Sequence, residues 1–472
     1  MITRVISTFL LFVCLWIPQA LAAGAGSILT HEEATDEVNI VVENILRHHP
    51  NPFHVTPKEE FYSEVDKLLE REGEISVEQQ YFDLARLSSL VFDTHTQFHV
   101  QKETPAFKST FPLRFKLFSD GLYVIGGNEV YRDAIGKKVV AISGQDPAEV
   151  LDRLSSYSAA DNLPRRRVYA ESYLYWPETY DVFGLKTPDG RIELVLEDAE
   201  AKRSIRVLSE TWEKGPADFS WDSLNPFLPK EFLSVHDVLG TEAPLYLRMI
   251  DNNYWFRFLA SEKKYLYVQM NKQFEKNVED GELPIEFHLR WSRALWDSEA
   301  EVLIIDLRNN PGGTINWGNP FAGILSDMYF EHPTLRGIAL LFGTDTVSAG
   351  TVIAAQLEDS VKPIMIGAPS GSSPNMYLTA EKVVLPHSLI QFEVSTEVLT
   401  VTSKTDTRAY IAPDIPMAMS FEDYASGRDP LIEFAKTVNK NMRKEQYNEY
   451  YDEPWRRPSQ KTATWWQQTA VK

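Results

Sequence analysis

The second half of the chain alternates short apolar runs with segments of helical pattern, and this order limits the possible folds most strongly. We expect strands at 265–269, 301–306, 336–342 and 362–366, and helices at 284–295 and 348–358. Strands separated by single helices indicate a parallel sheet with helices on its faces. The pattern predicts a layered α/β core, which we place at residues 213–440. The first part of this core region, residues 213–243, is rich in Pro, Trp and Phe. Its apolar residues have no helical or strand-like spacing, so we interpret it as a linker.

The first half carries two other patterns. Residues 30–95 have the pattern of helices, and Thr56 and Ser76 each open a capping-box sequence. From residue 111 to about 210, short alternating strands surround one helix that Asp146 is expected to cap. We therefore predict an N-terminal helical segment at 23–110, a small β-rich module at 111–212 and a C-terminal tail at 441–472.

The N-terminus has the pattern of a signal peptide. Arg4 precedes an apolar stretch at 5–17, and Ala20-Leu21-Ala22 forms an A-x-A cleavage site. A retained membrane anchor is the alternative, but the apolar run is shorter than a span requires. We expect residues 1–22 to be removed near Ala22 and the protein to be secreted or periplasmic. The only cysteine, Cys14, would leave with the signal, so no disulfide is expected.

The composition argues against several kinds of partner. The formal net charge is −20, which disfavours nucleic acid and anionic membranes. No long apolar run follows the signal, so no later membrane span is expected. His95 and His99 are four residues apart, but in a strand-like segment they do not share a helical face. We therefore expect neither a metal nor another cofactor, and the sequence leaves the oligomeric state open.

One glycine-rich turn follows a buried strand. The sequence from Asp306 to Gly313 ends an apolar run with a polar pair, a proline and two glycines. Ligands of open α/β sheets bind beyond the carboxyl ends of the strands, and free N–H groups in such a turn can hold an oxyanion. The alternative is an ordinary turn that ends a strand.

Ser348 lies where a strand and a short loop lead into a helix, in the segment Thr346-Val-Ser-Ala-Gly350. A serine at this position is most often an N-cap. The start of a helix also suits a nucleophile, because the helix dipole and the Ala349 N–H would stabilise negative charge on an attacked carbonyl. No Gly-x-Ser-x-Gly motif is present, which argues against an α/β-hydrolase.

A catalytic serine needs a base, and His95 is the preferred candidate among ten histidines. Several others, such as His49 beside Pro50 and His387 after Pro386, are interpreted as local. His95 lies in Asp93-Thr-His-Thr96, between the last predicted helix and the β module, where a side chain can reach a cleft. The alternative is a histidine that interacts with the dipole of the helix end.

Together these segments resemble the tail-specific, or C-terminal processing, serine proteases, a group that includes the tricorn core proteases and the retinoid-binding protein repeats. The segment 302–313 is similar to the signature strand and turn of that family. The helix start at Ser348, the strand at 363–367 and the Ile411-Ala-Pro-Asp-Ile415 segment match its later motifs in the same order. The resemblance implies a ClpP/crotonase-like core with an inserted PDZ-like domain at the β module.

The resemblance also implies roles for individual residues. Ser348 would be the nucleophile, and Ala349 with the Gly312-Gly313 turn would form the oxyanion hole. Ser373 stands where one subgroup has its catalytic lysine, and Ala368 replaces the usual glutamate, so a Ser-Lys dyad is not supported. The other subgroup uses a histidine, for which His95 fits. An acid is expected shortly before the Pro-Asp motif; Thr407 is at that position and Asp406 is one residue away, so Asp406 is assigned as the orienting acid.

The sequence thus predicts a multidomain α/β protein that hydrolyses peptide bonds through Ser348 and His95, with polypeptides as substrates. The competing hypothesis is a binding protein of the same fold that holds a hydrophobic ligand or a peptide without cleaving it, because fold alone does not fix function.

Overall fold

The computed structural model describes most of the chain, in the ranges 28–101, 103–197, 201–208, 210–211, 231–259, 264–273, 276–315, 318–439 and residue 442. The predicted signal peptide, residues 213–230 of the predicted linker and nearly all of the predicted tail lie outside these ranges. Among the described residues, no helix combines the length and apolar character that crossing a bilayer requires.

The strands are numbered in chain order. They are β1 (Ile28–Leu29), β2 (Ile75–Ser76), β3 (Gln97–His99), β4 (Ser109–Thr110), β5 (Leu113–Phe118), β6 (Gly121–Gly127), β7 (Lys138–Ile142), β8 (Ile192–Glu197), β9 (Lys202–Val207), β10 (Glu210–Thr211), β11 (Leu233–Ser234), β12 (Tyr254–Leu259), β13 (Tyr265–Met270), β14 (Val302–Asp306), β15 (Gly337–Phe342), β16 (Ile364–Gly367), β17 (Met376–Val384), β18 (Gln391–Leu399) and β19 (Ile415–Pro416).

The helices are numbered in the same way. They are α1 (His31–His48), α2 (Lys58–Leu69), α3 (Val77–Ser89), α4 (Pro147–Ser155), α5 (Leu163–Tyr173), α6 (Pro177–Val182), α7 (Val235–Leu239), α8 (Pro284–Trp296), α9 (Gly318–Glu331), α10 (Ala349–Ser360), α11 (Phe421–Ser426) and α12 (Pro430–Ala435), with short 3₁₀ turns at Glu129–Ala134 and Leu245–Leu247.

The second half forms the layered α/β core expected from its alternating pattern. Its sheet has the strand order β12-β13-β14-β15-β16-β19, in which only the β12–β13 pair is antiparallel. Apolar residues of α8, α9 and α10 pack on one face, and those of α12 pack on the other. Strand β14 is buried at every position, which explains why its sequence is a continuous apolar run.

The β module centres on the sheet β11-β6-β7-β8-β9, with β5 paired to β6. Asp146 caps α4 as expected, because its carboxylate accepts the Ala148 N–H at 2.8 Å. The polar stretch after α4 holds two helices, α5 and α6, that the sequence did not indicate. Helix α5 lacks an apolar stripe because it buries charged side chains, among them Arg165, Arg166 and Glu171.

The N-terminal helices share one hydrophobic core with the β module and with strand β18. Ser76 caps α3 as predicted, accepting the Gln79 N–H at 3.1 Å. The predicted cap at Thr56 is wrong: α2 begins at Lys58, Pro57 occupies the cap position, and no side chain caps the helix. Strand β3 pairs with β18 from the second half of the chain, in a separate three-stranded sheet with the order β17-β18-β3.

One further expectation needs correction. The described part of the predicted linker is ordered structure, because β11 pairs with β6 and leads into α7, which Ser234 caps. Residues 421–435 contain two short helices, α11 and α12. Gly427 adopts a left-handed conformation and ends α11, and Pro430 begins α12.

Candidate active site

The candidate site lies beyond the carboxyl ends of β14 and β15, where the glycine turn and the start of α10 meet. The Val347 N–H donates to the Asn310 carbonyl at 2.9 Å. A Cβ atom on Gly312 would lie 2.8 Å from the Ser348 Cβ and 2.9 Å from the Ala349 nitrogen. Gly312 also has φ +109°, so only glycine fits this contact without strain.

Ser348 does not act as the helix cap that its position first suggests. Its backbone has φ 49° and ψ −124°, and its side chain makes no capping hydrogen bond to α10. A positive φ is uncommon for a residue other than glycine and marks a constrained position. The Ser348 N–H donates to the Ser372 hydroxyl at 3.0 Å. This conformation directs the Ser348 hydroxyl to a histidine instead of to its own helix.

That histidine is His95, whose Nε2 atom lies 3.1 Å from the Ser348 Oγ atom. The distance is within hydrogen-bonding range for a serine and its general base. The two residues are 253 positions apart in sequence, so tertiary structure alone creates the pair. The His95 side chain is 19% exposed, which leaves one side of the pair accessible from solvent.

Asp93 holds the loop that carries His95. Its Oδ1 atom accepts the His95 N–H at 3.0 Å, and its Oδ2 atom accepts the Thr96 hydroxyl at 2.6 Å. The His95 Nδ1 atom lies 3.8 Å from Asp93 Oδ1, which is too long for a hydrogen bond but close enough for strong electrostatic attraction. Asp93 is therefore the carboxylate that faces the base.

The sequence did not single out His49, which contacts Asp93 from the other side. The His49 Nδ1 atom accepts the Asn51 N–H at 3.1 Å, so a neutral ring carries its proton on Nε2, 3.4 Å from Asp93 Oδ2. Burial alone would raise the pKa of Asp93, but the interactions with His49 and His95 outweigh it, and the pKa lies below its usual value. Asp93 thus stays ionised although it is only 1% exposed.

The three residues expected to form an oxyanion hole differ in their contacts. The structure shows no acceptor for the Ala349 N–H among the described residues, and this group stands at the start of α10 beside the Gly312 turn. The Gly312 N–H instead donates to the Asn310 side-chain oxygen at 2.9 Å. Gly313 is exposed and has φ +131°. Ala349 and Gly313 are therefore better placed than Gly312 to donate to a substrate.

Asp406 is bound to other partners. Its carboxylate accepts hydrogen bonds from the Arg408 guanidinium, the shortest at 2.8 Å, and from the Thr402 hydroxyl at 2.9 Å. The hydrogen bond from Arg408 is the main reason that the pKa of Asp406 falls to about 2. These contacts give no support to an orienting role beside His95, because the carboxylate that faces His95 belongs to Asp93.

Ser373, which the sequence resemblance aligned with a catalytic lysine, makes its contacts away from Ser348. Its hydroxyl donates to the Ala409 carbonyl at 3.1 Å, and its N–H donates to Asp161 Oδ2 at 2.8 Å. The geometry therefore pairs Ser348 with a histidine and not with a residue at this position.

Comparison with known proteins places the fold. No protein-family model matches the sequence, and no characterised protein matches it either. Among solved structures, the chain shares its fold with mature CPAF.

The chain is similar to mature CPAF in complex with lactacystin, with a TM-score of 0.60 and 14% sequence identity over 86% of this chain and 97% of that one. Mature CPAF without that compound gives a TM-score of 0.59 at 14% identity, covering 86% and 96% of the two chains. The photosystem II D1 C-terminal processing protease covers 84% of this chain and 98% of its own at 13% identity, but its TM-score of 0.36 is too low to support an argument.

Proposed function

We propose that this protein is a serine endopeptidase of the tail-specific type, with Ser348 as nucleophile and His95 as general base. One observation carries the proposal: the Ser348 Oγ atom lies 3.1 Å from His95 Nε2, at the carboxyl edge of an α/β sheet. A serine with a positive φ angle that faces a histidine across two parts of the chain is not required by packing alone.

The chemistry follows from this pair. His95 Nε2 takes the proton of the Ser348 hydroxyl as the oxygen attacks a peptide carbonyl, and the same proton is then given to the leaving amine. Water then attacks the acyl-enzyme in the same way, giving its proton to His95, and the second product is released. The Ala349 and Gly313 N–H groups would hold the carbonyl oxygen as it becomes negative. The Asp93 carboxylate, 3.8 Å from His95 Nδ1, would stabilise the imidazolium that forms.

Three finer points belong to the same proposal. The layered sheet with α8, α9 and α10 on one face suits a ClpP/crotonase-like core. The sheet of β5 to β9 with the capped helix α4 suits a PDZ-like domain that would bind polypeptide substrates by strand addition. The N-terminal pattern of residues 1–22 favours export, to the periplasm or to the exterior.

Hydrolysis of an unfolded polypeptide tests the proposal directly. Wild type should cleave it and should be labelled at Ser348 by a fluorophosphonate probe, whereas Ser348→Ala and His95→Ala should lose at least about a thousandfold in kcat. Ser234→Ala is a matched control, because Ser234 begins a helix but caps it in the usual way. Full activity in Ser348→Ala would refute the assignment. Saturable binding of a hydrophobic ligand without labelling would instead favour the binding protein.

A further inference from the structure

The first turn of α5 and the two residues before it lie between the loop that carries His95 and the loop that carries Ser348. We call residues 161–166 the junction segment. We propose that the junction segment is the positioning element that sets the distance between the base and the nucleophile. This inference rests on the proposed function, since it concerns the geometry of the same pair.

One side of the junction segment holds the loop of His95. Asp161 Oδ1 accepts both the N–H and the hydroxyl of Thr94, at 2.8 Å and 2.6 Å. Arg166 donates to the Ser89 carbonyl, and its guanidinium carbon lies 3.6 Å from the centre of the Phe92 ring. Residues on both sides of Asp93 are therefore fixed by two side chains of one segment.

The other side holds the loop of Ser348. The Arg165 guanidinium donates to the Thr344 carbonyl at 3.1 Å and also pairs with the Asp345 carboxylate. Asp345 is three residues before Ser348. Both contacts come from one guanidinium nitrogen, Nη1, so a single group links the junction segment to two consecutive residues of this loop.

A third set of contacts fixes the loop that receives the Ser348 N–H. The Asn162 amide nitrogen donates to the carbonyls of Ser370, Gly371 and Ala409, at 3.0 to 3.2 Å. Asp161 Oδ2 accepts the Ser373 N–H at 2.8 Å. Ser372 lies between these anchored residues, and its hydroxyl accepts the Ser348 N–H. The positive φ of Ser348 is thus maintained through a loop that the junction segment holds.

Burial makes these contacts costly to lose. Asp161, Asn162, Arg165 and Arg166 are between 2% and 7% exposed, and a buried polar group without its partner is strongly destabilising. Burial, followed by the negative charge of Asp93, raises the pKa of Asp161, and burial lowers the pKa of Arg166 to about 9. Apolar side chains could fill such a space at lower cost. Directional hydrogen bonds to both loops give the segment a positioning role that apolar packing would not provide.

The test compares Arg165→Met with Arg114→Met. Arg114 is also a buried arginine, with its pKa lowered to about 10 by burial, but it donates to Phe111, Leu113 and Thr110 within the β module. Both variants remove a buried guanidinium. With polypeptide substrate and below the unfolding transition of both variants, Arg165→Met should lower kcat about 10- to 100-fold with KM changed less than about threefold. Arg114→Met should lower kcat less than about threefold, and Arg165→Lys should fall between wild type and Arg165→Met.

Amide hydrogen exchange gives a reading that does not depend on hydrolysis. In Asn162→Asp, which keeps the helix cap but loses the amide donors, exchange should become faster in both 92–96 and 370–373. Equal kcat values in Arg165→Met and Arg114→Met, or unchanged exchange in both loops of Asn162→Asp, would overturn the inference. A wild type that neither cleaves nor is labelled at Ser348 would refute the proposed function, and the exchange result would then decide the inference alone.

Discussion

Replacing Asp93 by asparagine removes the negative charge that faces His95 while keeping the size of the side chain. The Nδ1 and Oδ1 atoms are 3.8 Å apart. At an effective dielectric constant of about 20, two unit charges at this distance attract by about 4 kcal/mol. Because the His95 side chain is 19% exposed, solvent screening can reduce this value to about half, or about 2 kcal/mol. This energy acts on the imidazolium, which forms only as the reaction proceeds.

Asp93→Asn should therefore lower kcat between about 30-fold and 1,000-fold, since about 1.4 kcal/mol corresponds to a tenfold change. KM should change little, because Asp93 is buried and does not face the substrate. The assay is steady-state hydrolysis of an unfolded polypeptide between pH 5 and pH 9.

A control separates this effect from a general loss of stability. Asp83 is another buried carboxylate, bound to Arg71 and Gln79, at 8% exposure. Asp83→Asn should reduce the free energy of unfolding but leave kcat of the folded protein within about threefold of wild type. If Asp93→Asn also stayed within threefold of wild type in kcat, Asp93 would not stabilise the imidazolium and the electrostatic reasoning would be refuted.

Three further predictions test other parts of the site. Gly312→Ala should lower kcat at least about tenfold, because its Cβ would lie 2.8 Å from the nucleophile's Cβ, whereas Gly190→Ala, where there is open space, should leave kcat within about twofold. Asp406→Asn should leave kcat within about twofold of wild type; a tenfold loss would restore its orienting role. Burial raises the pKa of Glu171 from 4.5 to about 7, so its contribution to stability is present at low pH and is lost as pH rises through this range. Urea titrations at pH 4.5 and 7.5 should show that the free energy of unfolding of wild type falls between these pH values by about 3 kcal/mol more than that of Glu171→Gln. Equal changes in the two proteins would contradict the raised pKa of Glu171.

The strands and helices whose apolar residues follow a clear pattern along the chain were predictable from the sequence. Strand β14 is buried on both faces and reads as an unbroken apolar run. The glycine pair at 312–313 was recognisable, because glycines in a turn after a strand let the backbone approach a ligand or another segment closely. In both cases the structural requirement, burial or close approach of the backbone, restricts which residue types can occupy the positions.

Helix α5 was missed for the opposite reason. Its inward positions hold Arg165, Arg166 and Glu171, so the apolar spacing that marks a helix is absent. These charges are satisfied by groups far away in sequence, such as the Thr344 carbonyl and the Ser89 carbonyl. A local pattern contains no information about such partners.

The same limit applies to the acid that faces the base. Asp406 lay one residue from the expected position, but Arg408, two residues further on, binds its carboxylate. Asp93 is two residues from His95 and was visible in the sequence, but its orientation depends on His49, which is 44 positions upstream. Which of two carboxylates reaches an imidazole is decided by tertiary contacts.

The proposed catalytic pair is formed across two hydrophobic cores. His95 follows α3, whose residues belong to the core shared by the N-terminal helices and the β module. Ser348 directly precedes α10, which packs in the core of the α/β sheet. The junction segment, residues 161–166, contacts both the loop of His95 and the loop of Ser348. Catalysis should therefore be more sensitive to changes at this junction than to changes of equal energetic cost inside either core, because a shift of about 1 Å between reacting groups can cost about a hundredfold in rate.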